Sequence, residues 1–202
     1  MYLTQLGLNR MDRSAMKTLS DAYHLHQTVM KGFVPYKDVA RVLYRVEPEM
    51  KNGSALVLVQ SPLEPDWNIL TNDSRWVTSV QVKAFVPKFK PGCSLRFRLR
   101  ANPVVTREGK RYGLIRDESL LEWLSKKEPK LGARFKSMTV IDEGYITGNK
   151  QNKNSRHRLN FKIARFEGML DVIDPVAFSE TVEVGIGSAK AFGCGLLSLA
   201  KA

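Results

Sequence analysis

Cysteine is scarce in this chain of 202 residues: there are two, Cys93 and Cys194, far apart in sequence. That excludes a disulfide framework and fits a reduced, cytoplasmic protein. Histidine is almost as rare, with His24, His26 and His157 making up the whole set. No grouping of His, Cys, Asp or Glu has metal-ligand spacing, so no metal centre is expected. No apolar run approaches the length that spans a bilayer. The opening, MYLTQLGLNR, lacks the basic-then-apolar order of a secretory signal. Acidic residues are also short in supply, with 20 Asp and Glu against 32 Lys and Arg, which leaves a net charge of +12 and a pI near 9.8. A surplus of that size points to a polyanionic partner, nucleic acid ahead of membrane. Apolar content is 43%, ordinary for a globular protein, and the length lies between one domain and two.

Glycine, by contrast, is concentrated. In VEVGIGSAKAFGCGLLSLA, Gly185, Gly187, Gly193 and Gly195 surround Lys190. A dinucleotide-binding fingerprint needs a helix and a further strand after its glycines, and too few residues follow. A nucleotide-hydrolase phosphate loop needs Gly-Lys-Ser/Thr, and Lys190 is followed by Ala191. Two readings remain open from the residues alone. One is a loop over which a polyanion lies close to the backbone, with Lys190 as a point charge. The other is a turn-rich connection before a terminal strand.

Periodicity gives the organisation. Strands are expected at 2–8, 39–46, 55–60 and 76–85. A polar stretch follows the first, and then Asp21 offers a helix N-cap. Ala22, Leu25, Val29 and Phe33 recur at helical spacing, which predicts a helix over 22–33. The segment VPKFKPGC, rich in proline and glycine, marks a domain boundary. Beyond it the pattern is a strand at 94–101, a helix at 119–127, strands at 138–146 and 159–172, a helix opened by Asp174-Pro175, and a last strand at 195–200. That order is ferredoxin-like. The first half reads strand, helix, strand, strand, strand, which fits a degenerate copy. The expectation is an α+β protein with two tandem ferredoxin-like domains, 1–86 and 94–202.

The cations cluster. Arg96, Arg98 and Arg100 alternate with Leu95, Phe97 and Leu99, so the guanidinium groups share one strand face. Three cations in a row repel one another unless something negative lies over them. A solvated face with salt bridges from elsewhere is the alternative. A second cluster holds Lys150, Lys153, Arg156, Arg158, Lys162 and Arg165, with no acid among them. GNKQNKNSRHR is too polar for a core and reads as a basic loop that orders on nucleic acid, or as an ordinary surface loop.

His24 and His26 diverge by roughly 200° on a helix and cannot share a metal. Tyr23 and His26 are three apart and share a face at the margin of the apolar stripe, with Lys31 further on. An imidazole there can move protons near neutrality. A structural histidine at the rim of a helix is the other possibility.

Five segments in order, MYLTQL, YHLHQ, LRANP, FEGMLDVIDP and GIGSAKAFGCGLLSLA, resemble the CasE family of CRISPR repeat-RNA endoribonucleases. The resemblance runs from Met1 to the last residues and is most specific in the glycine-rich motif. It implies two ferredoxin-like (RNA-recognition-motif-like) domains. It also implies metal- and cofactor-free cleavage of precursor CRISPR RNA at the base of each repeat hairpin, and retention of the product with other subunits of the Cascade complex. A monomer is expected when the protein is alone. The tyrosine and catalytic histidine of the family fall on Tyr23 and His26, and Lys31 would steady developing charge; His24 receives no role. The ribose 2′-hydroxyl would attack the adjacent phosphate, leaving 2′,3′-cyclic phosphate and 5′-hydroxyl ends. RNA would be held by Arg96, Arg98, Arg100, Lys150, Lys153, Arg156, Arg158 and Lys162, and by the Gly185–Gly195 loop with Lys190. The competing functions are a non-catalytic RNA-binding subunit and an unrelated module for DNA or an anionic membrane.

Overall fold

The computed structural model describes residues 1–34, 36, 41–51, 53–73, 75–152 and 155–202, with the backbone alone described at 49–51, 73, 150–152 and 155–157. The chain forms two compact units. The first is Met1–Val86 with Ile146–Asn160 and Ala191–Gly193; the second is Pro87–Tyr145, Phe161–Lys190 and Cys194–Ala202.

The first unit begins with β1 (Tyr2–Asn9), α1 (Arg13–Ser20) and α2 (Ala22–Met30), and α2 tightens into a 3₁₀ turn at Lys31–Phe33. Then come β2 (Leu43–Lys51), β3 (Ser54–Ser61), α3 (Asn68–Asp73) and β4 (Val77–Ala84). The sheet order is β2-β3-β1-β4, with each neighbouring pair antiparallel. That is the ferredoxin-like order. The core is built from the inward residues of the strands (Leu6, Leu8, Val57, Val59) and of the helices (Ala15, Leu25, Val29, Leu70), with Phe33 and Trp67.

Two helices escaped the sequence reading. The polar stretch after β1 is α1, capped by Asp12, whose carboxylate accepts the N–H groups of Ser14 and Ala15. It buries Ala15 and Thr18 and packs Leu19 against the core, but it is only eight residues long and polar on average, so it reads as part of a polar stretch. The short α3 supplies the second helix of the motif, so the first unit is a complete βαββαβ arrangement and not a degenerate one. The strand expected at 39–46 begins at Leu43; residues 39 and 40 lie outside the described residues.

In the second unit, β5 (Ser94–Ala101) is followed by a hairpin of β6 (Val104–Arg107) and β7 (Lys110–Gly113), and by α4 (Asp117–Ser125) and α5 (Glu128–Leu131). Two long strands follow, β8 (Ala133–Asn152) and β9 (Ser155–Val172), then α6 (Pro175–Val184), a 3₁₀ turn at Lys190–Phe192, and β10 (Leu197–Lys201). The sheet order is β10-β5-β9-β8, again ferredoxin-like. Phe97, Leu99, Leu120, Leu124, Phe166, Leu170 and Phe178 are buried in it. Asp174 caps α6 by accepting the N–H groups of Val176 and Ala177, with Pro175 in the first turn.

The stretch read as a basic loop is instead largely strand: β8 runs to Asn152 and β9 starts at Ser155. Its sequence is polar at successive positions, so no alternation marks it, whereas backbone pairing extends a hairpin without needing buried side chains. Lys153 lies outside the described residues, as do the side chains of Lys150 and Arg156. Among the described residues, no helix is long and apolar enough to cross a membrane.

Candidate active site and nucleic-acid interface

The candidate catalytic residues are carried on α2, whose first turn is fixed by Asp21. The Oδ1 atom of Asp21 accepts the N–H groups of Tyr23 at 2.9 Å and His24 at 3.0 Å. Leu25 and Val29 face the core, which leaves Tyr23 and His26 half-buried along the margin. His26 packs against Phe192, from the glycine-rich segment. Burial pushes the His26 imidazole below its ordinary 6.5, so the ring is neutral at neutral pH and one ring nitrogen has a lone pair free to take a proton.

Tyr23 lines an open groove of about 660 Å³ together with Lys17, Ser20, Asp21, His24, Gln27 and Asn149. His26 is not among the lining residues. His24 is tethered there, its Nδ1 lying 3.1 Å from Thr18 Oγ1. Lys31 is exposed at the start of the 3₁₀ turn. The sequence reading missed Lys17, Gln27 and Asn149 and saw Asp21 only as a cap. Asn149 reaches this groove from β8, and no local pattern announces so distant a contact.

Of the two readings of the β5 arginines, salt bridges from elsewhere in the chain describe Arg98 and Arg100. Arg96 is exposed, and its Nε donates to the carbonyl of Lys201 at 2.9 Å. Arg98 donates to Glu167 at 2.8 Å and Arg100 to Glu143 at 2.6 Å. Arg165 joins both acids, 2.7 Å from Glu167 and 3.1 Å from Glu143. The result is a ladder of alternating charge, Arg98–Glu167–Arg165–Glu143–Arg100. The acids come from β8 and β9, with Glu167 directly opposite Arg98 in register. They lie just outside the acid-free window that made the cluster look uncompensated.

Lys162 is enclosed, where the sequence suggested a surface cation. Its side chain is 4% exposed and is bound to both oxygens of Asp142, at 2.5 and 2.6 Å. Its ammonium also lies 5.0 Å from the Tyr145 ring centroid. Strand alternation turns it inward, where Asp142 and the Tyr145 ring are its partners. The hydrogen bond from Lys162, helped by the N–H of Gly144, holds Asp142 below the usual carboxylate range. Arg158, by contrast, is exposed.

Gly185, Gly187, Gly193 and Gly195 all have positive φ, at 76°, 85°, 78° and 89°. At Gly195 the requirement is internal. A Cβ there would stand 2.9 Å from the Ile186 carbonyl and 3.0 Å from the Lys190 stem. The Gly195 N–H donates to the Arg100 carbonyl, and its own carbonyl accepts the N–H of Ile186. Lys190 opens the 3₁₀ turn that ends at Phe192. Among the described residues, no three His, Cys, Asp or Glu side chains gather into a metal-binding group.

Comparison with known proteins gives a consistent result. The sequence model of a family described as CRISPR associated protein matches residues 1–201. The CRISPR-associated endoribonuclease Cse3 of Thermus thermophilus is 34% identical over 212 residues, covering 99% of this chain and 100% of that protein. The CRISPR system Cascade subunit CasE of Escherichia coli is 32% identical over 198 residues, covering 89% of this chain and 92% of that one. A solved structure of the CRISPR endoribonuclease Cse3 bound to a 19-nucleotide RNA matches with a TM-score of 0.86 at 34% identity, over 99% of this chain and 100% of that chain.

Proposed function

This chain belongs to the CRISPR-associated protein family, and we propose that it is the endoribonuclease that cuts precursor CRISPR RNA at the base of each repeat hairpin and then stays with its product among the subunits of a Cascade complex. Its working compartment is the cytoplasm, and alone it is a monomer. Residues 1–86 carry the catalytic helix, with 146–160 and 191–193 belonging to the same unit, and the remainder of 94–202 forms the second ferredoxin-like domain.

The reaction takes its nucleophile from the substrate. The ribose 2′-hydroxyl loses its proton to His26, the 2′-oxygen attacks the adjacent phosphorus, and the bond from phosphorus to the 5′-oxygen breaks. The leaving 5′-oxygen takes up a proton from Tyr23 or water, and the proton held by His26 passes to solvent, so the protons balance. The products are a 2′,3′-cyclic phosphate and a 5′-hydroxyl, with no external oxidant, metal or cofactor in the balance. DNA is not cut because it lacks the attacking hydroxyl. Tyr23 orients the ribose or shares in proton transfer, and Lys31 lends positive charge to the phosphorane-like transition state. The single observation that carries the reading is the placement of His26, half-buried at the margin of α2 and packed against Phe192, where burial lowers its pKa. The imidazole is a group able to accept a proton at neutral pH.

The exposed Arg158 and Arg96 provide phosphate contacts, joined by Lys150, Lys153 and Arg156, which precede Arg158 closely in sequence. Arg98 and Arg100 are committed to the ladder and contribute through its shape. The test is His26→Ala with an end-labelled repeat hairpin. Cleavage is expected to fall by roughly 10²–10⁴-fold, and the wild-type product is expected to carry a cyclic phosphate. Undiminished cutting by the variant would remove His26 from the mechanism, and an intact repeat after long incubation with wild-type protein would favour the non-catalytic subunit.

A further inference from the structure

The carboxylate of Asp21 is shared between two elements. One oxygen caps α2 through Tyr23 and His24. The other, Oδ2, accepts both the backbone N–H and the side-chain amide of Asn149, each at 3.0 Å, across 128 residues of sequence. Beside Asn149, Gly148 runs so close to the start of α2 that a Cβ on it would stand 2.8 Å from the Tyr23 nitrogen and 3.4 Å from Asp21 Oδ1. A helix cap needs only one acceptor, which serine or threonine supplies. Asp21 uses both oxygens, and an ionised acceptor makes the stronger bonds. Burial works to raise its pKa, but the hydrogen bonds from His24, Asn149 and Tyr23 outweigh that and hold it below the usual range, so it stays charged. In sequence, Asn149 is followed by Lys150, Lys153, Arg156 and Arg158.

We propose that Asp21, with Asn149 and Gly148, is a positioning clamp that seats the basic end of the β8–β9 hairpin against the first turn of α2, so that an RNA stem gripped by the hairpin presents its scissile phosphate in register with Tyr23 and His26. Asp21 touches no substrate; it acts through the two elements it joins. The proposal rests on the reading of α2 as the catalytic helix and of the hairpin as the RNA grip. It explains why the acceptor is a carboxylate and why a glycine stands at position 148, neither of which capping alone requires.

Asp21→Asn separates the two roles in the full-length protein. The asparagine oxygen still caps α2, while its amide nitrogen faces the backbone N–H of Asn149 and cannot accept from it, and the Asn149 side-chain bond survives only if that amide turns over. Gly148→Ala opens the same contact from the other side. Single-turnover cleavage of the repeat hairpin at rising protein concentration gives the rate at saturation and the half-saturating concentration separately. The rate at saturation is expected to fall by roughly 10- to 100-fold in both variants, the scale of a misplaced reacting group, with half-saturation changed by less than about threefold. The melting temperature of Asp21→Asn is expected to stay near that of the wild type. If Gly148→Ala fails to fold, Asp21→Asn decides. A wild-type saturating rate in Asp21→Asn, or a defect confined to half-saturation, overturns the clamp. His26→Ala in the same assay separates the two failures: if it cuts normally, the reading of α2 has failed, and if it is inactive while Asp21→Asn is normal, only the clamp has failed.

Discussion

His26 stands edge-on to Phe192, with ring centroids 5.8 Å apart and planes inclined at 61°. This contact helps cover an imidazole whose burial lowers its pKa. Phe192→Ala should admit water and move the titration of His26 upward, toward 6.5, in an NMR pH titration of the ring protons. The acid limb of the cleavage rate should move the same way. The linkage has a definite sign. Because folding lowers this pKa, the unfolded chain binds more protons as pH falls through 6.5 toward the folded value. The wild type therefore loses stability over that window, and Phe192→Ala should lose less from this source. An unmoved titration would assign the shielding to other neighbours.

Lys162 and Asp142 give a prediction about stability. Removing one member of a fully buried pair costs roughly 3–5 kcal/mol. Asp142 keeps 35% of its side chain in water, so Lys162→Ala is expected to cost about 2 kcal/mol. Chemical denaturation measures it. Binding to repeat RNA should change by less than about twofold, since the ammonium is buried and paired with Asp142. The pair strengthens folding above the unfolded carboxylate pKa and loses that contribution as pH falls through the lowered folded value. A large loss of affinity with unchanged stability would return Lys162 to the RNA interface.

Salt dependence separates the two arginine clusters. If roughly six phosphates are neutralised, the slope of log affinity against log salt is about −4, a fall of roughly 300-fold between about 50 and 200 mM. Arg158→Ala should make the slope shallower by about 0.7. Arg98→Ala and Arg100→Ala should leave it within about 0.2 while lowering the melting temperature, because their charges are spent on Glu167 and Glu143. Equal slope changes at all three positions would show that the ladder opens to meet RNA.

Gly195→Ala places a side chain at φ of 89° and within 2.9 Å of a backbone oxygen. A cost of about 1–3 kcal/mol is expected, read from thermal melting, with little change in affinity well below the transition. Weakened binding with an unchanged melting point would instead mean that this glycine lets RNA approach.

The sequence and the structure agree where residues report on their own surroundings. The Ala22, Leu25, Val29 stripe marks α2, the alternation around Phe97 and Leu99 marks β5, and Asp174-Pro175 marks the start of α6. They part where structure depends on distant partners. The short α1 is polar on average, and its few apolar contacts, Ala15 and Leu19, find their partners in elements elsewhere in the unit. The β6–β7 hairpin turns at Glu108-Gly109, both at positive φ, without the Asn-Gly or Asp-Gly that signals such a turn. At the candidate site, the shared face of Tyr23 and His26 follows from helical spacing. The approach of Phe192 and Asn149, and the acids that neutralise Arg98 and Arg100, come from strands and turns remote in sequence. A count of nearby charges cannot find them.

The most direct measurement replaces the single ribose upstream of the scission point with deoxyribose in an otherwise unchanged repeat hairpin, and follows binding and strand breakage together. Affinity should be retained and cleavage at that site should vanish, because the attacking oxygen is gone. Breakage that continues at the same bond would contradict a mechanism in which the RNA supplies its own nucleophile.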